Sequence, residues 1–175
     1  MKKILLVVFS MLIIFQLVVM AVVINIGSEA EDRASSTSSG NTIINLDNPA
    51  TVAGTITSVE IWAYVNLSGV EVATFYAIDA THYTTRDNQA IANITAGAKR
   101  VIPVSLHVEI GDFIGMYWTG GNMERDTSGF DGFKYVAGDN IPCNNVEFPS
   151  VAAGDTLSLK GIGTTANAIN FAINF

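Results

Sequence analysis

The chain has one cysteine, two histidines and four prolines in 175 residues, and only 14% of it is charged. A lone Cys143 cannot close an internal disulfide, so an apolar core must hold the fold. Cys143 itself reads as a small buried apolar residue, with an intermolecular disulfide as the sharper alternative. His82 and His107 are the only imidazole bases, and neither Gly-x-Ser-x-Gly nor His-Glu-x-x-His is present. No cysteine pair has zinc-ligand spacing, which leaves too few soft ligands for a transition-metal site. Basic clusters are missing beyond Lys99-Arg100. All 16 acids but only seven of the nine bases lie at residue 29 or later, a net charge of −9 there. That balance excludes nucleic acid as a natural partner.

Charge is also missing from Ile4 to Ile26, an apolar run broken only by Ser10, Gln16 and Asn25. Such a run enters a bilayer or the secretion machinery. Lys2 and Lys3 precede it and acids follow, so the N-terminus is expected inside and the remainder exported. The length suits a spanning helix, which would anchor the protein in the membrane. Ser28-Glu29-Ala30 equally offers small residues for signal cleavage near Ala30, and both routes stay open. Residues 1–28 are therefore read as signal or anchor, 29–40 as a Ser/Thr-rich linker, and 41–175 as one folded domain.

Beyond the linker the helical period is absent and period two takes over. Thr57–Val65 places Val59, Ile61, Ala63 and Val65 on one face, with Glu60, Trp62 and Tyr64 on the other. Leu67-Ser68-Gly69 reads as a hairpin connection to Val70–Ile78. Lys99–Val108 aligns Ile102, Val104, Leu106 and Val108. Asp112–Thr119 sets Ile114, Met116 and Trp118 against Phe113, Gly115 and Tyr117. The clearest alternation is Ala168–Phe175, with Ile169, Phe171, Ile173 and Phe175 on one face. The fold is all-β, with spacing that suits a sandwich or barrel.

Three Gly-Asp pairs punctuate the strands: Gly111-Asp112, Gly138-Asp139 and Gly154-Asp155. Glycine supplies positive φ at a tight turn, and aspartate can bond nearby backbone N–H groups. A Gly-Asp turn feeding an alternating strand, with an alternating strand at the C-terminus, resembles jelly-roll domains. Tumour-necrosis-factor-like and complement-type ectodomains, viral structural proteins and carbohydrate-binding modules share that architecture. The resemblance implies a jelly-roll-like antiparallel β-sandwich behind an N-terminal hydrophobic helix. It carries no ligand residue with it, because one fold hosts many functions.

Three sets of residues are candidates for function. Trp62 and Tyr64, joined by Phe75 if the strands pair in register, would make an aromatic platform for sugars; their alternative place is the core. Asp126, Asp131, Asp139 and Asn140 would supply hard oxygen ligands to calcium, if their loops meet. Glu124, Asp126 and Asp131, in the polar Gly-rich stretch 120–132, would serve a glycan-acting enzyme as paired carboxylates. The plainer reading of that stretch is a solvated loop in which Arg125 offsets some acids. Asn66-Leu67-Ser68 and Asn93-Ile94-Thr95 match the N-glycosylation pattern, which matters only in a eukaryotic secretory route.

The reading that follows is an exported, noncatalytic binding or adhesion module, directed at a glycan or a surface protein. No cofactor is implied, calcium excepted. The alternatives are a self-assembling subunit of a surface layer, appendage or virion, and a secreted glycan-acting enzyme.

Overall fold

A computed structural model describes residues 21–165. The expected helix over most of Ile4–Ile26 and the strand Ala168–Phe175 lie outside these residues. Among the described residues no helix is long and apolar enough to cross a membrane.

The protein is all-β and antiparallel, built as two facing sheets with a third at one end. The first sheet runs in the order β1 (Val23–Gly27), β15 (Leu159–Thr164), β4 (Gly54–Ile61), β8 (Arg100–Val108). The second has seven strands. Four of them, β7 (His82–Ile91), β6 (Val70–Ala77), β9 (Phe113–Tyr117) and β3 (Asn41–Asn45), oppose the first sheet. β12 (Val146–Glu147) extends the β7 side, and β11 (Phe133–Ala137) and β13 (Ser150–Ala152) extend the β3 side.

The period-two residues fill the space between the sheets. Ile56, Val59, Ile61, Leu106 and Val108 from the first sheet meet Ile43, Val72, Ile114, Met116 and Trp118 from the second, all of them buried. Each such side chain contributes roughly 1.5–3 kcal/mol by leaving water. Gly161 on β15 permits the close approach of the sheets, since a Cβ there would lie 2.9 Å from Ile114 Cδ1. The outer face of the second sheet carries a smaller cluster in which Phe75 and Tyr83 pack edge-on against Phe148. Cys143 is half-buried beside that cluster, its thiol 3.6 Å from the Tyr83 carbonyl.

The third sheet arises because two strands turn a corner. β4 continues past Trp62 as β5 (Ala63–Ser68), and β14 (Thr156–Leu157) continues past Ser158 as β15. At the corner Trp62 N–H donates to the Ser158 carbonyl (3.1 Å), and Ser158 N–H donates to the Glu124 carbonyl (3.1 Å). Beyond it β5 and β14 both pair with β10 (Gly120–Asp126), whose other edge pairs with β2 (Ser35–Ser38). The first sheet thereby curls into a half-barrel.

Several expectations change here. The domain starts well before Asn41: β1 lies within residues expected to be signal or anchor, and Ile24 and Ile26 are buried in the core. β2 and the buried Ala30 and Arg33 occupy the expected linker. Leu67-Ser68-Gly69 joins no hairpin, because β5 pairs with β10 while β6 pairs with β7 and β9. The chain crosses between sheets there. The stretch 120–132 is a strand as far as Asp126 rather than a solvated loop.

The first Gly-Asp turn does structural work. Gly111 has φ +88°, and the buried Asp112 accepts the Glu109 N–H (2.8 Å) and both arms of the Arg86 guanidinium. That carboxylate holds Arg86 above the usual arginine value.

Candidate functional site

The small sheet, the corner and the loop after β10 gather most of the buried polar side chains. Their centre is Arg33, whose side chain is 1% exposed. Its Nε donates to Ser158 Oγ (2.7 Å), Nη1 to Asp126 Oδ2 (2.6 Å) and Nη2 to the Glu29 carbonyl (2.8 Å). Its backbone N–H donates to Glu124 Oε2 (3.1 Å), and Glu31 stands 3.3 Å from Nη1. Glu29 is tied to Lys160, which lowers the Glu29 carboxyl below its ordinary value. An acidic segment that reads as a linker is thus fastened at both ends.

Next to Arg33 lies a second network around the buried Asp47. Its carboxylate accepts Ser28 Oγ–H (2.6 Å), the Thr156 hydroxyl and the backbone N–H of Asp131 (2.8 Å). The last bond, with Phe130 N–H to the Gly154 carbonyl (3.2 Å), fixes the loop after β10. Phe130 is consequently held 37% exposed, with the Arg33 guanidinium 5.1 Å from its ring centroid. A cleft of about 340 Å³ opens there, with Phe130, Glu31, Asn48 and Asp131 around it and Arg33 and Asp47 in its floor. An aromatic surface ringed by hydrogen-bonding groups suits a hydroxyl-rich ligand.

The three carboxylates weighed for the alternative glycan-acting enzyme are not equivalent in this place. Asp131 lines the cleft; Glu124 and Asp126 do not. Glu124 is buried, and desolvation raises its carboxyl above the ordinary value. The Arg33 N–H opposes that shift and neighbouring Asp32 adds to it. Asp126 is occupied by Arg33. The pleat of β10 puts these two on one side of the strand, against Arg33, rather than on either side of a bound bond.

The calcium set is divided. Asp126 and Asp131 are at the Phe133 end of β11, whereas Asp139 and Asn140 follow its Ala137 end. Asn140 N–H donates to Thr42 Oγ1 (2.9 Å) and Asp139 Oδ1 accepts the Ile141 N–H (3.1 Å), both serving the turn. Among the described residues no three His, Cys, Asp or Glu side chains group as a metal site.

The aromatic platform is also divided. Phe75 is fully buried in the cluster outside the second sheet, Trp62 is half-buried at the corner, and Tyr64 is 54% exposed on β5. Phe75 cannot join the other two, because its strand belongs to a different sheet. Phe130 carries little signal in the sequence, where it is a lone aromatic between Gly129 and Asp131 in a polar segment.

The histidines serve local geometry. His82 Nδ1 faces both Asp79 (3.0 Å) and Thr81 Oγ1 (3.3 Å), so one nitrogen meets both groups, while a relay needs one on each. Backbone N–H groups of Thr81 and His82, and then the His82 side chain, hold Asp79 well below the usual carboxylate range. His107 Nε2 lies 3.0 Å from exposed Glu109. In the two glycosylation patterns, Asn66 and Asn93 accept the N–H groups of Ala96 (2.8 Å) and Gly69 (3.3 Å), stapling two loops.

The chain matches no protein-family model and no curated protein.

Proposed function

We propose that the protein is an exported, noncatalytic binding or adhesion module directed at glycans, built on a jelly roll and tethered by its N-terminal apolar segment. The observation that carries the reading is Phe130, packed on Arg33 at the surface and ringed by Glu31, Asn48 and Asp131. Saccharide sites use such an aromatic face, with polar side chains taking the hydroxyls.

Strand order supports the jelly roll. With β1, β3, β4, β6, β7, β8, β9 and β15 numbered one to eight, the pairs are 1–8, 2–7, 3–6 and 4–5. That is a long antiparallel ribbon, and pairs 8–3 and 7–4 roll it into two sheets. Tethering is favoured over cleavage near Ala30, which would remove β1 and strip Ile24 and Ile26 from the core. With β1 and the Val22–Thr165 bonds inside the domain, Ile4–Ala21 remains for the membrane, a length within the roughly 17–25 residues of a span.

The test is a glycan array probed with the full chain in detergent, with calcium and then with chelator. Selective binding that Phe130→Ala weakens would support the reading. A blank array with folded protein would remove it.

The self-assembling subunit is the second reading, and the edges of the first sheet favour it. On β8 the Ser105 and His107 N–H groups are capped by Gln89 Oε1 (3.0 Å) and Asp87 Oδ2 (2.8 Å). β1 ends the sheet on the other side; Asp47 and Asn48 cap its Gly27 end, while the outer edge at Val23 and Asn25 pairs with no described strand and can recruit one from another copy. Sedimentation of a chain carrying Val23→Lys separates the readings, since assembly through β1 would be lost while glycan binding would persist.

A further inference from the structure

We propose that a second cleft, on the opposite face of the small sheet from Arg33, is a subsite for a neutral, hydroxyl-rich ring such as a hexopyranose. The proposal rests on the glycan-directed reading above but uses none of the residues around Phe130. Alternation along β10 places Glu124 and Asp126 toward Arg33, and Met123 and Arg125 toward the core. Arg125 therefore sits at the rim of the core, its guanidinium 6.0 Å from the Phe133 ring centroid. The cleft there is about 360 Å³, within the size range of small-ligand sites, roughly 300–1,000 Å³. Phe133 and Tyr135, with centroids 6.0 Å apart, form an aromatic wall, and Arg125, Asp155, Asn41 and Thr37 line the rest.

The hydrogen bonding around this cleft is incomplete. Arg125 Nε is buried and makes no hydrogen bond of sound geometry, although Asp155 Oδ2 stands 3.0 Å away. The Arg125 side chain is 29% exposed and its guanidinium donates to no described residue, in contrast to Arg33. Nε faces Asp155, while the Nη groups of this partly exposed side chain have no described acceptor and can donate to a ligand oxygen in the cleft. Asp155 beside it supplies acceptors. Neighbouring hydroxyls on one ring can accept from Arg125 and donate to Asp155, while the ring's C–H face lies on Tyr135. Asp155 offsets the Arg125 charge and would repel an anion, so the ligand class is neutral.

Saturation-transfer difference NMR on the full chain in detergent tests this. The probes are methyl α-mannopyranoside, methyl β-galactopyranoside and glucuronate. Saturable transfer to a neutral hexoside, weakened at least tenfold by Arg125→Met and by Asp155→Asn but not by Phe130→Ala, would establish the subsite. Asn41→Ala, at the cleft wall, gives a weaker loss and stands in if either variant misfolds. Neutral binding that survives every one of these cleft changes overturns the subsite alone, as does binding of glucuronate alone. No transfer to any probe, together with a blank glycan array, overturns the subsite and the functional reading together.

Discussion

Arg33 and Arg125 lie on opposite faces of one small sheet, yet their hydrogen bonding could hardly differ more. Arg33 precedes β2 and uses every arm of its guanidinium on Ser158, Asp126 and Glu29, with its backbone N–H on Glu124. Arg125 pairs across the ladder with Ser35, faces the other way, and has one acid nearby at poor geometry. A buried cation with complete hydrogen bonding holds a fold together. Arg125, 29% exposed, keeps Nη donors that no described residue takes and that the proposed ligand would use. The difference sets Arg33 in the structure, as the support under Phe130, and Arg125 in the proposed subsite.

The largest expected effect comes from removing the structural arginine. Arg33→Met takes the donor from Asp126, Ser158 and the Glu29 carbonyl and should cost about 3–5 kcal/mol in urea unfolding, as for other ion pairs broken at a buried member. Arg125→Met should cost less, about 1–3 kcal/mol, since Arg125 is partly solvated and the loss is that of leaving the buried Asp155 unpaired. Equal losses would erase the comparison.

Asp47→Ala comes next. It strips the acceptor from Ser28, Thr156 and Asp131, a loss of about 1–3 kcal/mol per group left buried and unpaired. It should also free the loop bearing Phe130, so glycan affinity would fall along with the midpoint of unfolding.

Glu124 sharpens the comparison through pH. Its carboxyl is raised in the folded protein, so the fold binds that proton more readily than the unfolded chain does. The group's contribution is therefore fully favourable below its unfolded value of 4.5 and is lost as pH rises through the higher folded value. Glu124→Gln should make the protein less sensitive to that rise, with the two proteins differing most above the folded value. Unfolding curves across pH 3.5–7 check this, and a carboxylate contribution that grows with pH would contradict it. The smallest effect is expected from Arg125→Lys. Stability should barely change, while the loss of the planar fork weakens saccharide binding.

Much of the sandwich can be read from single strands. Ile114, Met116 and Trp118 alternate with smaller or half-buried neighbours, and all three are in the core. What escapes local reading depends on partners far along the chain. Glu29-Ala30-Glu31-Asp32-Arg33 has the composition of a solvated linker, and Glu124, Asp126, Ser158 and Lys160, more than 90 residues later, order it. The same distance hid β10, whose acids imply a loop until Arg33 is set against them. β1 was concealed because a buried strand and the end of a membrane segment have the same apolar composition. Phe75 alternates on its strand as well as Trp62 does on its own, but alternation says nothing of which sheet a strand joins.

The most direct test follows the two arginine Nε–H signals by NMR while methyl hexopyranoside is titrated into the full chain. The account predicts that the Arg125 signal shifts saturably and that the Arg33 signal, bonded to Ser158, stays in place. A shift of Arg33 with Arg125 unmoved would reverse the assignment of the two sites.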